Sequence, residues 1–305
     1  MKINLFLTIK KSFNADLSLA KKILTIKPLA FLRYIIIISL TIISTTHSAY
    51  SWNALGHRLI MQIAYDHMSE KAKNTFTKYN NALDTFYRER TLINSAEWLD
   101  NLRYRGQVWL GTLHYIDIPF SVDGIPMPTS SNKENAVSAI YSAERVLKKN
   151  HVKPFDKGFA SRILMHVVGD LHQPMHAASQ YSARFLEGDH GGNRVHLGAN
   201  DVAQNLHGYW DEGGGFLKRN TPMPSETLQK IAANIENQYP CHPATMNLNP
   251  KRWATESHDI AVKYAYQVSS GQIPTHKYQQ MVQEIAQQRI AIAGCRLASL
   301  LNKMA

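Results

Sequence analysis

Apolar residues recur at three- and four-residue steps through most of the chain beyond residue 51, the periodicity of helices with one buried face. The pattern predicts helices over 56–68, 69–79, 91–104, 133–149, 157–173, 225–238, 251–268 and 275–303. The stretch SSNKENAVSAIYSAERVLKK opens on Ser and Asn, which cap helix N-termini, and closes on lysines that suit a helix C-terminus. Period-two alternation, the mark of a strand, is confined to VWLGTLHYIDIP (108–119) and GGNRVHLG (191–198). No repeat, low-complexity tract or Gly/Ser linker follows residue 51. The reading is one mainly α, multi-helix domain over 52–305, with functional loops around 105–132 and 178–224.

The first 51 residues break this pattern. Lys2, Lys10, Lys11, Lys21, Lys22, Lys27 and Arg33 face the single acid Asp16, and the apolar run YIIIISLTII (34–43) and the small-residue site SAYS (48–51) follow. These are the parts of a secretory signal peptide. The apolar run falls well short of the roughly 20 residues that span a bilayer as a helix. The basic stretch is long for a signal peptide, so an uncleaved anchor or a later start stands as the alternative. Cleavage after Ser51 leaves 254 residues beginning at Trp52, a secreted or periplasmic chain with no membrane span.

Composition then adds little. With 44% hydrophobic and 19% charged residues, the chain is an ordinary globular one. Removing seven basic and one acidic residue from the 34 and 23 lowers the formal charge from +11 to +5. Much of the basic charge belongs to the leader, and what remains permits a nucleic-acid partner without requiring one. Only Cys241 and Cys295 occur; an oxidising compartment would pair them, and two buried free thiols is the other reading.

The chemistry gathers in MHVVGDLHQPMH, residues 165–176. His166 and Asp170 are four apart, and four residues turn a helix by about 400°, so both project from one face. Pro174 disturbs the helix end and lets His176 point elsewhere. His172, roughly 240° round from His166, reads as a packing or hydrogen-bonding residue. The same comb recurs as His207 and Asp211 in NLHGYWDEG. One such pair is commonly a surface ion pair, but WNALGH at the mature start and EWLDNLR and LHYID between extend the set. Imidazole and carboxylate together suit zinc. His57, Asp100, His114, His166, Asp170, His176, His207 and Asp211 are too many for one tetrahedral ion, so they imply a cluster, and its lack of thiolates gives it a catalytic character.

The order of motifs is Trp-x-x-x-Gly-His, Trp-x-Asp, Leu-His-Tyr-Ile-Asp, His-x-x-Gly-Asp-x-His-Gln-Pro-x-His, Gly-Gly-Asn and Asn-Leu-His-x-x-Trp-Asp. This series resembles the class I single-strand-specific zinc nucleases of fungi and plants, which belong with the zinc-dependent phospholipases C. The resemblance runs from Trp52 to about Asn302, since ESHDIAVKYAY and RIAIAGCRLASLLN resemble the family's last two helices. It implies a mainly α fold and three zinc ions in a cleft. By motif, Asp100, His114, His166 and Asp170 would hold one ion. Trp52, through a free α-amino nitrogen and its carbonyl oxygen, would hold a second with His57 and bridging Asp170. His176, His207 and Asp211 would hold the third.

The implied activity is hydrolysis of single-stranded DNA and RNA to 5′-phosphate products, with removal of 3′-phosphates from nucleotides, by a monomer without a stable protein partner. Asp117 would orient the attacking water or serve as an ordinary turn carboxylate, and Arg103 would fix Asp100 or stand in solvent. Asn193 and Asn205 would orient ligands or touch substrate. Tyr115, Phe120, Tyr181 and Phe185 are candidates for stacking bases or for packing. A phospholipase C is the first alternative; such relatives favour a glutamate at the third site, where Asp211 and GDLHQPMH favour the nuclease branch over the adjacent Glu212. A secreted zinc-binding protein without turnover is the second.

Overall fold

The computed structural model describes residues 52–84, 90–104, 108–129, 133–218, 223–243 and 246–305. Residues 1–51, where the signal peptide is read, and the side chain of Arg103 lie outside the described residues. Ten α-helices are described: α1 (Ala54–Asp66), α2 (Glu70–Asp84), α3 (Leu92–Ser95), α4 (Trp98–Tyr104), α5 (Ala136–Lys148), α6 (Pro154–Asp170), α7 (Leu206–Asp211), α8 (Ser225–Gln238), α9 (Pro250–Tyr264) and α10 (His276–Met304). The only described sheet is a parallel pair, β1 (Pro119–Ser121) and β2 (Ser179–Tyr181), with Pro119 opposite Ser179.

Local chemistry sets most boundaries. Asn53, Thr91, Asn135, Asn205, Asn249 and Thr275 each accept backbone N–H bonds at a helix start, and Asn135 forms a reciprocal box with Ser138. Pro154 opens α6, where its missing N–H costs nothing. Amphipathic α2 buries only Ala72, Phe76, Asn80 and Leu83, a narrow stripe facing α6. By contrast α6 is buried without interruption from Leu164 to Asp170, because α1, α2, α4, α5 and α10 all pack on it. The central helix is therefore also the one that carries the first comb.

A second apolar cluster lies beneath the 178–215 region, built on Met175, Val195, Leu206, Trp210, Ala261 and Val282. Trp210 Nε1 donates to Tyr278 Oη at 3.0 Å, and that hydroxyl donates to Ala265 O at 2.7 Å, which fixes α7 against α10. Cys241 and Cys295 are joined as a disulfide that ties the segment after α8 to α10.

Three sequence expectations need correction. The predicted helix over 91–104 is two helices, α3 and α4, separated at Ala96 and Glu97. Residues 108–114 form a 3₁₀ helix, with β1 only at its far side, because alternation over so short a run does not separate a strand from a tight helix. Residues 191–198 are a turn with a lone bridge from His196 to Asn205, as the positive φ of Gly191 and Gly192 requires.

Candidate metal centre

Helix α6 ends at Asp170, and after Leu171–Gln173 the chain enters a 3₁₀ turn at Pro174–Ala177. His166 and Asp170 thus share the last turn, with Nε2 and Oδ2 3.2 Å apart, while His176 is carried past the bend. Each of the eight imidazoles and carboxylates read from the sequence as metal ligands arrives in one of three groups among the described residues. These are His57, His166 and Asp170; Asp100, His114 and His166; and His176, His207 and Asp211.

The first two groups share His166, and Asp170 of the first also reaches His114 of the second. Asp170 Oδ1 lies 3.3 Å from His57 Nε2, and its Oδ2 lies 3.0 Å from His114 Nδ1. Asp100 Oδ1 lies 3.6 Å from His166 Nε2 and 3.7 Å from His114 Nδ1. The rings of His57 and His166 stack with centroids 3.9 Å apart. Asp170 is fully buried, yet neither oxygen accepts a hydrogen bond of good geometry. A buried carboxylate surrounded by ring nitrogens in this way has the donor set of a cation site.

The third group makes the same point through tautomers. His176 Nδ1 donates to His114 O at 2.7 Å and His207 Nδ1 donates to Gly191 O at 2.6 Å, since a carbonyl can only accept. In the neutral rings both Nε2 atoms then carry lone pairs, and these lie 3.2 Å apart. A metal ion between them would accept both. Asp211 completes the set, with Oδ1 3.8 Å from His176 Nε2 and Oδ2 3.6 Å from His207 Nε2. Likewise His166 Nδ1 donates to Ala96 O at 2.6 Å, leaving Nε2 for the first two groups. The residues present fit bound metal ions, which outer contacts of this kind orient.

Residues 52–305 match the family model described as S1/P1 Nuclease. The chain belongs to the S1/P1 nuclease family. Among its relatives, Endonuclease 4 of Arabidopsis thaliana is 27% identical over 282 residues, covering 85% of this chain and 90% of that protein. Endonuclease 1 of the same plant is 24% identical over 296 residues, 89% of this chain and 93% of that protein. Nuclease P1 of Penicillium citrinum is 23% identical over 282 residues, 83% of this chain and 97% of that protein. The mostly helical architecture agrees with the all-α fold of S1/P1 nucleases.

In this S1/P1 nuclease fold the remaining site candidates take distinct places. Trp52 is fully buried, and its indole Nε1 donates to Gly169 O at 3.1 Å. Glu212 turns to Asn53 Nδ2 at 2.8 Å and stays outside the third group, which takes Asp211. Asn205 caps α7 through Gly208 N at 2.8 Å, and Asn193 bonds within its own turn to His190 O at 2.8 Å. Asp117 lies outside the three groups, in a patch with Asp189, Tyr181 and Tyr266. Phe120 packs edge-on against Tyr266 with centroids 4.9 Å apart, Phe185 is buried, and Tyr115 and Tyr181 stay partly exposed.

Sequence reasoning missed three supports. Gln173, fully buried, donates from Nε2 to Asp211 Oδ1 at 2.6 Å and accepts from Met175 N at 2.5 Å. Its place inside the motif HQPMH was the only signal. Gly169 lets the His57 ring lie against α6, since a Cβ there would come within 3.0 Å of His57 Nδ1. Gly191, with φ of 63°, presents its carbonyl to His207 where a Cβ would come within 2.6 Å of Met175 O.

Electrostatics follow from burial and neighbours. Burial pushes the Asp211 carboxyl well up, and the Gln173 bond works against it only in part. Burial acts the same way on Asp170, but there the charge of His166 and the nearby His114 and His57 outweigh it and hold the carboxyl well below its usual range. Burial would lower His166, yet Asp170 and Asp100 push it up to about 9. His172 is different in kind. Burial and the charges of Arg289 and Arg296 keep it neutral, with Nδ1 donating to Val168 O at 2.7 Å and Nε2 accepting from Arg296 at 2.9 Å. It braces the end of α6 and joins none of the metal groups.

Proposed function

We propose that the chain is an exported, zinc-dependent nuclease that hydrolyses single-stranded DNA and RNA to 5′-phosphate products and also removes 3′-phosphates from nucleotides. The observation that carries this reading is the set of three His/Asp groups, two of them sharing His166 and both in contact with the fully buried Asp170, in a chain of the S1/P1 nuclease family. Asp100, His114, His166 and Asp170 would hold one zinc ion. His57 and Asp170, with the amine and carbonyl of Trp52, would hold a second; His176, His207 and Asp211 would hold the third. When bound, the ions supply a water that ionises near neutral pH, neutralise phosphate oxygens and stabilise the leaving oxygen.

The protein's own work is positioning. Ala96, His114 and Gly191 carbonyls fix the tautomers of His166, His176 and His207, so each ring presents its Nε2 without rearrangement. Asp117 follows His114 on a segment that Ile116 N ties to His176 O at 2.8 Å. Burial, and then the charge of Asp189, push its carboxyl up to about 6, a range in which it can take a proton near neutrality. We assign it to orienting the attacking water. Single-strand preference follows because only unpaired bases can splay out towards a recessed cluster.

Export is supported by the leader-like first 51 residues, by the disulfide, and by the family match beginning at Trp52. No helix among the described residues is long and apolar enough to cross a membrane. The test is hydrolysis of single-stranded DNA, RNA, a 3′-nucleotide and phosphatidylcholine by the secreted chain, with zinc content and N-terminal sequence read on the same sample. Cleavage to 5′-phosphates by a chain starting at Trp52 with about three zinc ions is the expected result. Lipid hydrolysis alone, or zinc without turnover, would overturn it.

A further inference from the structure

Asn53 uses every hydrogen-bonding group it has. Its Oδ1 accepts from Leu55 N and Gly56 N, both at 3.1 Å, and so caps α1. Its Nδ2 donates to Glu212 Oε2 at 2.8 Å and to Leu217 O at 2.9 Å. Its main-chain N–H donates to Asp211 O at 3.3 Å, and its carbonyl accepts from His57 N at 3.3 Å. A cap needs only the side-chain oxygen, which Asp or Ser supplies about as well. What sets Asn apart is the amide nitrogen, and both its protons go to the segment that follows Asp211.

The residues tied together in this way are the proposed ligands. Trp52 precedes Asn53, His57 lies on the first turn it caps, and Asp211 holds its N–H. Trp52 is held from the other side by its bond to Gly169 O, next to Asp170, and by Gly56, where a Cβ would come within 2.8 Å of Trp52 Cβ. Chain termini fray unless tied down, and a terminal amine can serve as a ligand only where its residue is ordered. We infer that Asn53, with Glu212 as its acceptor, is a positioning residue that locks the ligand at Trp52 to the ligand at Asp211. This rests on the reading of Trp52 as a ligand through its amine.

The test uses the secreted chain, sequenced to start at Trp52 and equilibrated in zinc buffers of set free concentration. Zinc per chain is read by atomic emission, and melting of the metal-free chain is followed separately. Asn53→Asp keeps the cap oxygen but sets a second carboxylate against Glu212. Combining Asn53→Asp with Glu212→Gln restores a donor–acceptor pair with the roles exchanged. The expected result is a 10- to 100-fold weaker hold on one ion in Asn53→Asp, of the order seen when contacts behind a ligand are lost, so that about one zinc fewer is retained. The double variant regains it. Parent-like zinc affinity in Asn53→Asp, with only the metal-free melting temperature lowered, reduces Asn53 to a helix cap and overturns the inference. A double variant as weak as the single one removes Glu212 from it. A parent chain whose zinc count is unchanged by one added residue before Trp52 sinks the ligand reading itself, whatever Asn53→Asp does.

Discussion

Stripping metal from this chain is expected to cost more stability than cutting its disulfide. Five imidazoles and three carboxylates converge in the three groups. Without cations, the His176 and His207 Nε2 atoms lie 3.2 Å apart and both Asp170 oxygens stay buried without a donor of good geometry. Ligand binding stabilises by mass action, about 2.7 kcal/mol per site at a hundred times Kd, hence about 8 kcal/mol for three such sites. The Cys241–Cys295 bond spans a separation of 54 residues, and opening it costs about 4 kcal/mol in the chain-entropy model. At about 2 cal/mol/K per residue over some 250 residues, these are falls of about 15 °C and about 8 °C. Calorimetric melts of the zinc-loaded chain, of the chelated chain, and of a loaded Cys241→Ser, Cys295→Ser variant check this. Equal melting with and without metal would refute the claim that these groups converge for cations. A larger fall in the cysteine variant would refute the ranking.

Other expectations follow from single contacts. Gln173→Leu removes the donor to Asp211 and is expected to weaken the third group's hold on metal by about 10- to 100-fold, read as early loss of one ion on dialysis; full retention refutes it. Gly169→Ala places a Cβ about 3.0 Å from His57 Nδ1 and 3.1 Å from Ile60 Cδ1, so His57 must shift. Its turnover is expected to fall by about tenfold while melting changes little, because misplacing one catalytic group costs rate and alanine favours the helix. Asp117, pushed up to about 6 by burial and then Asp189, keeps its proton in the folded chain at pH values where the unfolded chain has lost it. Its contribution to stability is therefore full below about pH 4 and lost as pH rises through 6. Asp117→Asn should gain in melting temperature relative to the parent between pH 4 and 7, and an equal difference at both ends counts against the shift.

What could be read from the sequence was whatever a local spacing encodes. The four-residue combs, the bend at Pro174, the caps and the turned-away His172 all follow from helix geometry, and the structure has them. What could not be read depends on partners distant in sequence. The break at Ala96 exists where a carbonyl must meet His166 Nδ1, seventy positions on. Gly169 reads as a weak helix residue until the His57 ring is laid against it. Asn53 caps α1, but its bonds to Glu212 and Leu217 span 159 and 164 residues and leave no trace in local pattern.

The placement of both combs at helix ends carries its own logic. Asp170 is the last residue of α6 and Asp211 the last of α7. Helix C-termini present unpaired carbonyls and favour cations, as α5 does with Arg145 and Lys148 in its last turn. A buried acid there is unfavourable twice over, through desolvation and through the carbonyls beside it. Asp211 shows the strain, with its carboxyl driven well up by burial and only partly offset by the Gln173 bond, whereas Asp170 is held down by the charge of His166. The same arrangement sets each acid one turn from an imidazole Nε2, 3.2 Å away in α6 and 3.6 Å away in α7. A divalent ion held between acid and imidazole would repay both penalties, so the acid that weakens the helix end is the one suited to hold a metal there. Loss of metal should therefore be felt first at the ends of α6 and α7, as faster amide exchange there than in α2 or α5; uniform protection with and without zinc would contradict it.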